Sequence, residues 1–206
     1  MRGGLATLVA LVALAAGVSV ASSHAATTES LSRQVEARLK SANSPAAATS
    51  TSTPLGGSRA QSTTAALEGA VVNRINLLRR GRGLRPLRWN RRLAAAADYH
   101  SHDMARRGYF EHDSANGTAF WRRIERFYSS RGFRSWTVGE NLLWASDTYG
   151  ASFAVREWMA SPPHKENLLS RDWHEIGIGA VTVSSAPGAY GGRAVTIVTA
   201  DFGART

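Results

Sequence analysis

The chain has 206 residues and a formal net charge of +10, and this length accommodates one domain with extensions. It contains no cysteine, which excludes disulfides, thiolate zinc sites and thiol nucleophiles. The positive charge is almost entirely arginine; it favours anionic partners, although an arginine-rich composition without a functional role explains it equally well.

The first 25 residues are typical of an export signal. Arg2 supplies a positive start, an apolar stretch runs from Leu5 to Val20, and the small residues of Ser23-His24-Ala25 predict cleavage after Ala25. The alternative is a retained membrane anchor, but the stretch is shorter than the ~20 residues that a span usually needs. We therefore expect a secreted or envelope-associated chain with no stable membrane span after cleavage, for which nucleic acid is a poor partner.

Residues 26–66 form a second segment, rich in Ser, Thr and Ala. Large apolar residues are almost absent from 41–64, and Pro and Gly interrupt any regular element. Such a segment cannot bury enough surface to offset its ordering entropy, so we predict a disordered spacer over 26–66 and a globular domain over 67–206.

Helical patterns come first in the domain. The periodicity predicts helices over Ala65–Arg80, from an Asn90 cap to Arg107, from near Thr118, and over Thr148–Ala160. Ser161-Pro162-Pro163 ends the fourth helix. On the second helix, His100 falls on the apolar stripe and is interpreted as a core residue with satisfied hydrogen bonds.

The period then changes to that of strands. Ile176–Val183 and Ala194–Phe202 predict a hairpin across a Gly-rich turn, and Trp136–Leu143 predicts a third strand. Helices followed by strands indicate the α+β class. The sequence thus predicts about four helices packed on a small antiparallel sheet.

Polar residues lie within three otherwise apolar segments. These segments are Gly-Tyr-Phe-Glu-His at 108–112, Gly-Glu-Asn-Leu at 139–142 and Trp-Met-Ala-Ser-Pro-Pro-His-Lys-Glu-Asn-Leu-Leu at 158–169. Together with Glu-Ile-Gly-Ile-Gly at 175–179 and the terminal Asp-Phe-Gly at 201–203, their order and spacing resemble the CAP superfamily (cysteine-rich secretory, antigen 5 and pathogenesis-related proteins). The chain is most similar to the bacterial SCP-like branch.

The resemblance implies an α-β-α sandwich with a central cleft, lined in the family by two histidines and two glutamates. Carried over by motif, His112 and His164 are the histidines and Glu140 is one glutamate. The family's second glutamate follows the helix tryptophan by three residues, where this chain has Ser161. Glu157 and Glu175 are candidates to replace it.

The chemistry of these residues leaves several functions open. Two neutral imidazoles and a carboxylate suit a divalent metal such as zinc, with His112 and His164 as ligands and Glu140 as a base toward water. No local metal-binding spacing supports this, and Glu140 can equally cap backbone donors in a structural role.

Three hypotheses follow for the whole domain. The first is an extracellular binding module for an envelope lipid, glycan or protein. The second is a metal-dependent, protease-like hydrolase that uses the same cleft residues as catalytic groups. The third is a structural envelope protein tethered by residues 26–66, whose attachment would depend steeply on salt.

Overall fold

The computed structural model describes residues 8–10, 56–146 and 148–206, with side chains from residue 64 onward except at 147. Within these ranges there are five helices: α1 (Gly56–Arg80), α2 (Arg91–Arg107), α3 (Phe120–Phe127), α4 (Ala151–Ala160) and α5 (Pro162–Leu169). The described strands are β1 (Leu8–Ala10), β2 (Arg88–Trp89), β3 (Trp136–Ser146), β4 (Glu175–Ala186) and β5 (Arg193–Arg205).

The strands form one mixed sheet in the order β1-β3-β5-β4-β2. The long central strands β3, β5 and β4 are antiparallel, whereas the short outer strands β1 and β2 pair in parallel with β3 and β4. The prediction of an antiparallel sheet is therefore correct for the three long central strands and not for the two short outer strands. A strand of two or three residues is too short to show alternation of apolar and polar residues. The sequence therefore did not predict the two outer strands.

Helices cover both faces of the sheet, which confirms the α+β class and the α-β-α sandwich. On one face, α1, α4 and α5 bury residues such as Ile75 and Trp158 against Ile178 and Phe202 of the sheet. On the other face, α2 and α3 pack on β3, β4 and β5 through two further apolar clusters. Because side chains alternate along a strand, neighbouring residues of β3 enter different layers.

The second helix begins and ends as the sequence indicates. The Asn90 side chain accepts hydrogen bonds from the amides of Arg92 and Leu93, and Gly108 ends the helix in the left-handed region (φ 74°). The predicted apolar stripe of this helix, including His100, is fully buried.

Two helix boundaries differ from expectation. Helix α1 begins at Gly56 rather than Ala65, inside the segment assigned to the spacer. Pro162, expected only to stop α4, also begins α5, giving five helices rather than about four. Proline fits the first turn of a helix, where its missing N–H has no intrahelical acceptor, and the extended Ser161 before it separates the two helices.

Two predictions for the N-terminal part remain predictions. Apart from residues 8–10, the export signal at 1–25 lies outside the described residues, and so does 26–55 of the spacer. In the part of the chain that the structure covers, no helix is both long and apolar enough to span a bilayer.

Candidate functional site

Glu140 lies at the centre of the site, on the face of β3 that meets α2 and α3. The side chain is almost completely buried, and each carboxylate oxygen has a partner. The Nδ1 atom of His112 donates to Oε1 at 2.8 Å, and the Arg123 guanidinium of α3 forms an ion pair with Oε2. Arg123 also donates to the backbone carbonyl of His112 at 2.8 Å. The arginine thereby fixes both members of the Glu140–His112 pair.

The same contacts determine the protonation of Glu140. Burial by itself raises the pKa of the carboxyl group, but the charge of Arg123 and the hydrogen bond from His112 outweigh it and lower the pKa to about 2. Glu140 is therefore a permanent carboxylate with both oxygens occupied. It is poorly suited to accept a proton during catalysis, which is the role that the hydrolase hypothesis gives it.

His112 is the accessible member of the pair. Its side chain is 49% exposed, although its Nδ1 atom is held by a buried carboxylate. Because Nδ1 donates to Glu140, Nε2 is the nitrogen of His112 that remains to meet a ligand. A carboxylate that holds one imidazole nitrogen while the other faces a ligand is the usual arrangement behind metal-binding histidines.

His164 belongs to the opposite layer. It lies in the first turn of α5, and its backbone carbonyl accepts a hydrogen bond from the Asn141 side chain at 3.0 Å. Asn167 donates to Asn141 at 2.8 Å and to the Glu140 carbonyl at 3.2 Å. These amide contacts fasten α5 to β3, so Asn141 positions His164 while the adjacent Glu140 positions His112.

The two histidines influence each other without touching. Burial first, and then the charge of His112, lower the pKa of His164 to about 4, which leaves it neutral at pH 7. Across the described residues, no hydrogen bond links the His164 imidazole to His112 or Glu140. The structure thus joins His112 and Glu140 directly and brings His164 within electrostatic range of them.

Two further titratable groups complete the buried cluster. His100 Nε2 donates to the Glu111 carbonyl at 2.9 Å and lies 4.0 Å from Glu140 Oε1. Burial lowers the pKa of His100 to about 4, so it is neutral, and its interpretation as a hydrogen-bonded core residue is consistent with this geometry. Asp201 is directly opposite Glu140 on β5, and burial together with the Glu140 charge raises its pKa well above the ordinary value.

The two candidates for the second family glutamate make contacts with other residues. Glu175 accepts from the Tyr128 hydroxyl at 2.6 Å and pairs with Arg88 at 3.9 Å. Glu157 is on α4, where it pairs with the neighbouring Arg156 at 3.4 Å. None of these contacts involves His112 or His164.

The sequence analysis missed Arg123 and Asp201. A signal for Arg123 was available: it lies three residues after Phe120 and one before Ile124, on the apolar stripe of α3. A charged residue on a buried stripe needs a charged partner. Asp201 gave no such signal, because its relation to Glu140 depends on the register between β3 and β5.

The residues fit a divalent metal only in part. Considering only the residues the structure describes, no group of three or more His, Asp or Glu side chains is placed to hold an ion. The oxygens of Glu140 are occupied, which leaves His112 Nε2 and the neutral His164 as donors. Two imidazoles suit zinc, but a site with so few protein ligands would be open and weak.

Comparison with known proteins identifies the domain. The model of the CAP family, described as the cysteine-rich secretory protein family, matches residues 72–202. The chain belongs to the CAP family. His112, Glu140 and His164 of this CAP domain lie within the matched range.

Bacterial proteins are among the relatives of the CAP domain. The uncharacterized protein YkwD of Bacillus subtilis is 32% identical over 141 residues, which cover 68% of this chain and 51% of YkwD. An extracellular protein of Bacillus anthracis that contains an SCP domain is 26% identical, with a TM-score of 0.57, over 73% of this chain and 44% of that one.

A more distant structure shares the fold alone. An outer surface protein of Borrelia burgdorferi is 22% identical, with a TM-score of 0.51, over 66% of this chain and 90% of that protein. The present chain spans about half the length of YkwD. The activity of such longer proteins is therefore not assigned to this chain.

Proposed function

We propose that the CAP domain is an extracellular binding module whose cleft contains His112, Glu140 and His164 and takes an envelope lipid, glycan or protein. In this proposal His112 and His164 bind a divalent cation such as zinc, and Glu140 orients His112. The observation that carries it is the pairing of both Glu140 oxygens, one with His112 and one with Arg123. A carboxylate held in this way supports a ligand-binding imidazole.

The titration of His164 also favours a binding role. With a pKa of about 4, its imidazole is neutral at the pH of most extracellular environments and has a lone pair to offer a cation or a ligand donor group. The similarity to an extracellular SCP-domain protein supports placement outside the cytoplasm.

The alternative function, a metal-dependent hydrolase, receives less support from the same geometry. Hydrolysis needs a group that accepts a proton from water, and the low pKa of Glu140 makes it an inefficient acceptor. The third hypothesis, a structural envelope protein, concerns residues 26–66 and stands apart from the cleft.

Zinc titration of the metal-free protein, followed by calorimetry, tests the binding proposal. We expect the wild type to bind one zinc ion per chain, and His112→Ala combined with His164→Ala to weaken binding at least ~100-fold, since both protein donors are lost. The matched control is His174→Ala, which removes an exposed histidine outside the cleft and should leave binding unchanged.

The competing outcomes are distinct. Zinc affinity that is equal in the double variant and the wild type would refute the metal site. Turnover of a peptide or ester library by the wild type, lost in the double variant, would favour the hydrolase. If the double variant changes only the melting temperature, the histidines are structural.

A further inference from the structure

Positive charge is concentrated in one short segment of the surface. Residues 80–92, here called the arginine segment, contain six arginines and no Asp or Glu, so thirteen residues contribute +6 in a chain whose net charge is +10. The arginines are Arg80, Arg82, Arg85, Arg88, Arg91 and Arg92, and all six are exposed. The segment connects α1 to α2 and includes β2.

The arginines have little charge compensation. Among the described residues their one ion pair joins Arg88 to Glu175 at 3.9 Å, and the Arg88 side chain is 77% exposed. An exposed pair at this distance contributes little, because water and salt screen it. The segment therefore presents a nearly uncompensated positive surface.

The backbone of the segment is held in place from beneath. Buried Arg79 donates to the carbonyl of Arg85 and, across the domain, to those of Leu168 and Ser170, all at 2.9 Å. The Asn76 side chain makes two hydrogen bonds with the backbone of Leu87. The exposed arginines thus extend from a fixed backbone, so a partner would have to order only their side chains.

Two of the arginines lie where the fold itself disfavours them. Arg91 and Arg92 are the first residues of α2, and the first turn of that helix contains no acidic residue. The helix dipole places partial positive charge at this end, so the two guanidinium groups weaken the helix rather than support it. Residues that reduce the stability of their own helix are expected where a surface serves binding.

An uncovered tryptophan lies within the segment. Of the large hydrophobic side chains that are described, four are exposed: Leu77, Trp89, Tyr99 and Phe133. Guanidinium groups cover Tyr99 and Phe133, at 5.9 Å from Arg126 and 4.4 Å from Arg205. Trp89 is 44% exposed between Arg88 and Arg91 in the chain, and it makes no such contact with any described residue.

We propose that the arginine segment docks the CAP domain on the surface of an anionic phospholipid bilayer, with Trp89 inserted at the level of the headgroups. Arginines bind the phosphates of anionic lipids, and tryptophan is enriched at the membrane–water interface because its ring is apolar and its N–H is polar. An exposed indole among cations favours a lipid surface over a soluble polyanion, which needs the charges alone. This surface contains none of the residues His112, Glu140 and His164, so either proposal can fail alone.

Vesicle binding by the full chain tests the proposal. The probes are vesicles of phosphatidylglycerol with phosphatidylcholine, and vesicles of phosphatidylcholine alone, at 0.1 M salt. We expect binding to the anionic vesicles only. Replacement of Arg85, Arg91 and Arg92 by Gln should weaken that binding on the order of 100-fold, since each arginine near the surface contributes about fivefold.

A matched control separates location from net charge. Replacement of Arg122, Arg131 and Arg134 by Gln removes the same charge from exposed sites outside the segment and should change binding by less than about threefold. The N-terminal apolar stretch is present in every variant and cannot produce a difference between them. Equal losses in the two triple variants, or no loss in either, would overturn the proposal.

Fluorescence quenching tests the role of Trp89. Brominated phosphatidylglycerol should quench part of the tryptophan emission of the bound wild type, and that part should disappear in Trp89→Phe. Absence of this quenching would overturn insertion. If soluble polyglycerol phosphate binds through Arg85, Arg91 and Arg92 while vesicles do not, the segment recognises an envelope polymer and the lipid proposal is wrong.

Discussion

Glu140 shares its buried surroundings with one cation and a second carboxyl group. Arg123 is 1% exposed and balances a single negative charge, which the ion pair assigns to Glu140. Asp201 is fully buried opposite Glu140, and neither of its oxygens has a hydrogen-bond donor within the described structure. A second buried negative charge here would be uncompensated, so Asp201 is neutral in the fold.

Replacement of Asp201 by Asn tests this assignment. In the unfolded chain Asp201 loses its proton above the ordinary pKa of 3.8, whereas burial and the Glu140 charge keep it protonated in the fold. Folding therefore takes up a proton at this group, and the contribution of Asp201 to the free energy of unfolding decreases as pH rises above about 4. Asn does not titrate and keeps the shape of the side chain.

We expect Asp201→Asn to match the wild type near pH 4 and to become the more stable protein toward pH 7. The difference should grow by up to about 1.4 kcal/mol per pH unit, the limit for one proton. Urea unfolding at several pH values measures it. A difference that does not vary with pH would mean that Asp201 is ionised in the folded protein.

Helix α2 and strand β4 approach each other so closely that only glycine fits between them. A Cβ atom on Gly177 or Gly179 would lie 2.0 Å from the backbone nitrogen of Ala94 or Asp98. The close approach allows Ser101 to donate to the Gly179 carbonyl at 2.9 Å. The helix that packs here is the one that carries His100.

We expect Gly179→Ala to reduce the free energy of unfolding by about 3 kcal/mol or more, because rigid backbone on both sides must move. The matched control is Gly69→Ala in α1, where a Cβ atom meets nothing within 4 Å. Alanine in a helix interior should stabilise by ~0.5–1 kcal/mol. Thermal unfolding measures the stability of both variants. If Gly179→Ala changes the free energy of unfolding no more unfavourably than Gly69→Ala, α2 can move away from β4 at no cost.

At the scale of the whole molecule, periodic features were predictable from the sequence and contacts between distant segments were not. The stripe containing Leu93 and Met104 indicated α2, and β-branched runs indicated β4 and β5, because burial imposes a period on each element. The motif resemblance selected His112, Glu140 and His164. The connection of Glu140 to Arg123 and Asp201 depends on strand register and on the angle of α3, which one sequence does not reveal.

The buried titratable groups also predict the response of the whole fold to acid. His100 and His164 have pKa values of about 4 in the fold against 6.5 for the ordinary imidazole, so the unfolded chain binds more protons between these values. The contribution of these two histidines to the free energy of unfolding should therefore decrease as pH falls from 6.5 to 4, opposite in sign to that of Asp201. Below pH 4.5, Glu140 takes up a proton in the unfolded chain but stays ionised in the fold, where its pKa is about 2. The contribution of Glu140 to the free energy of unfolding therefore also falls in this range.

Replacement of His164 by Gln separates these contributions. The test is made in the Asp201→Asn background, where the opposing carboxyl group no longer titrates. There the change removes one of the two titrating imidazoles and should roughly halve the slope of stability against pH between 6.5 and 4, with a chelator present to exclude metal effects. His174→Gln, at an exposed histidine, is the control and should keep the full slope. Urea midpoints measured at half-unit pH intervals give the slopes, and an unchanged slope in His164→Gln would mean that its imidazole titrates in the fold as it does in water.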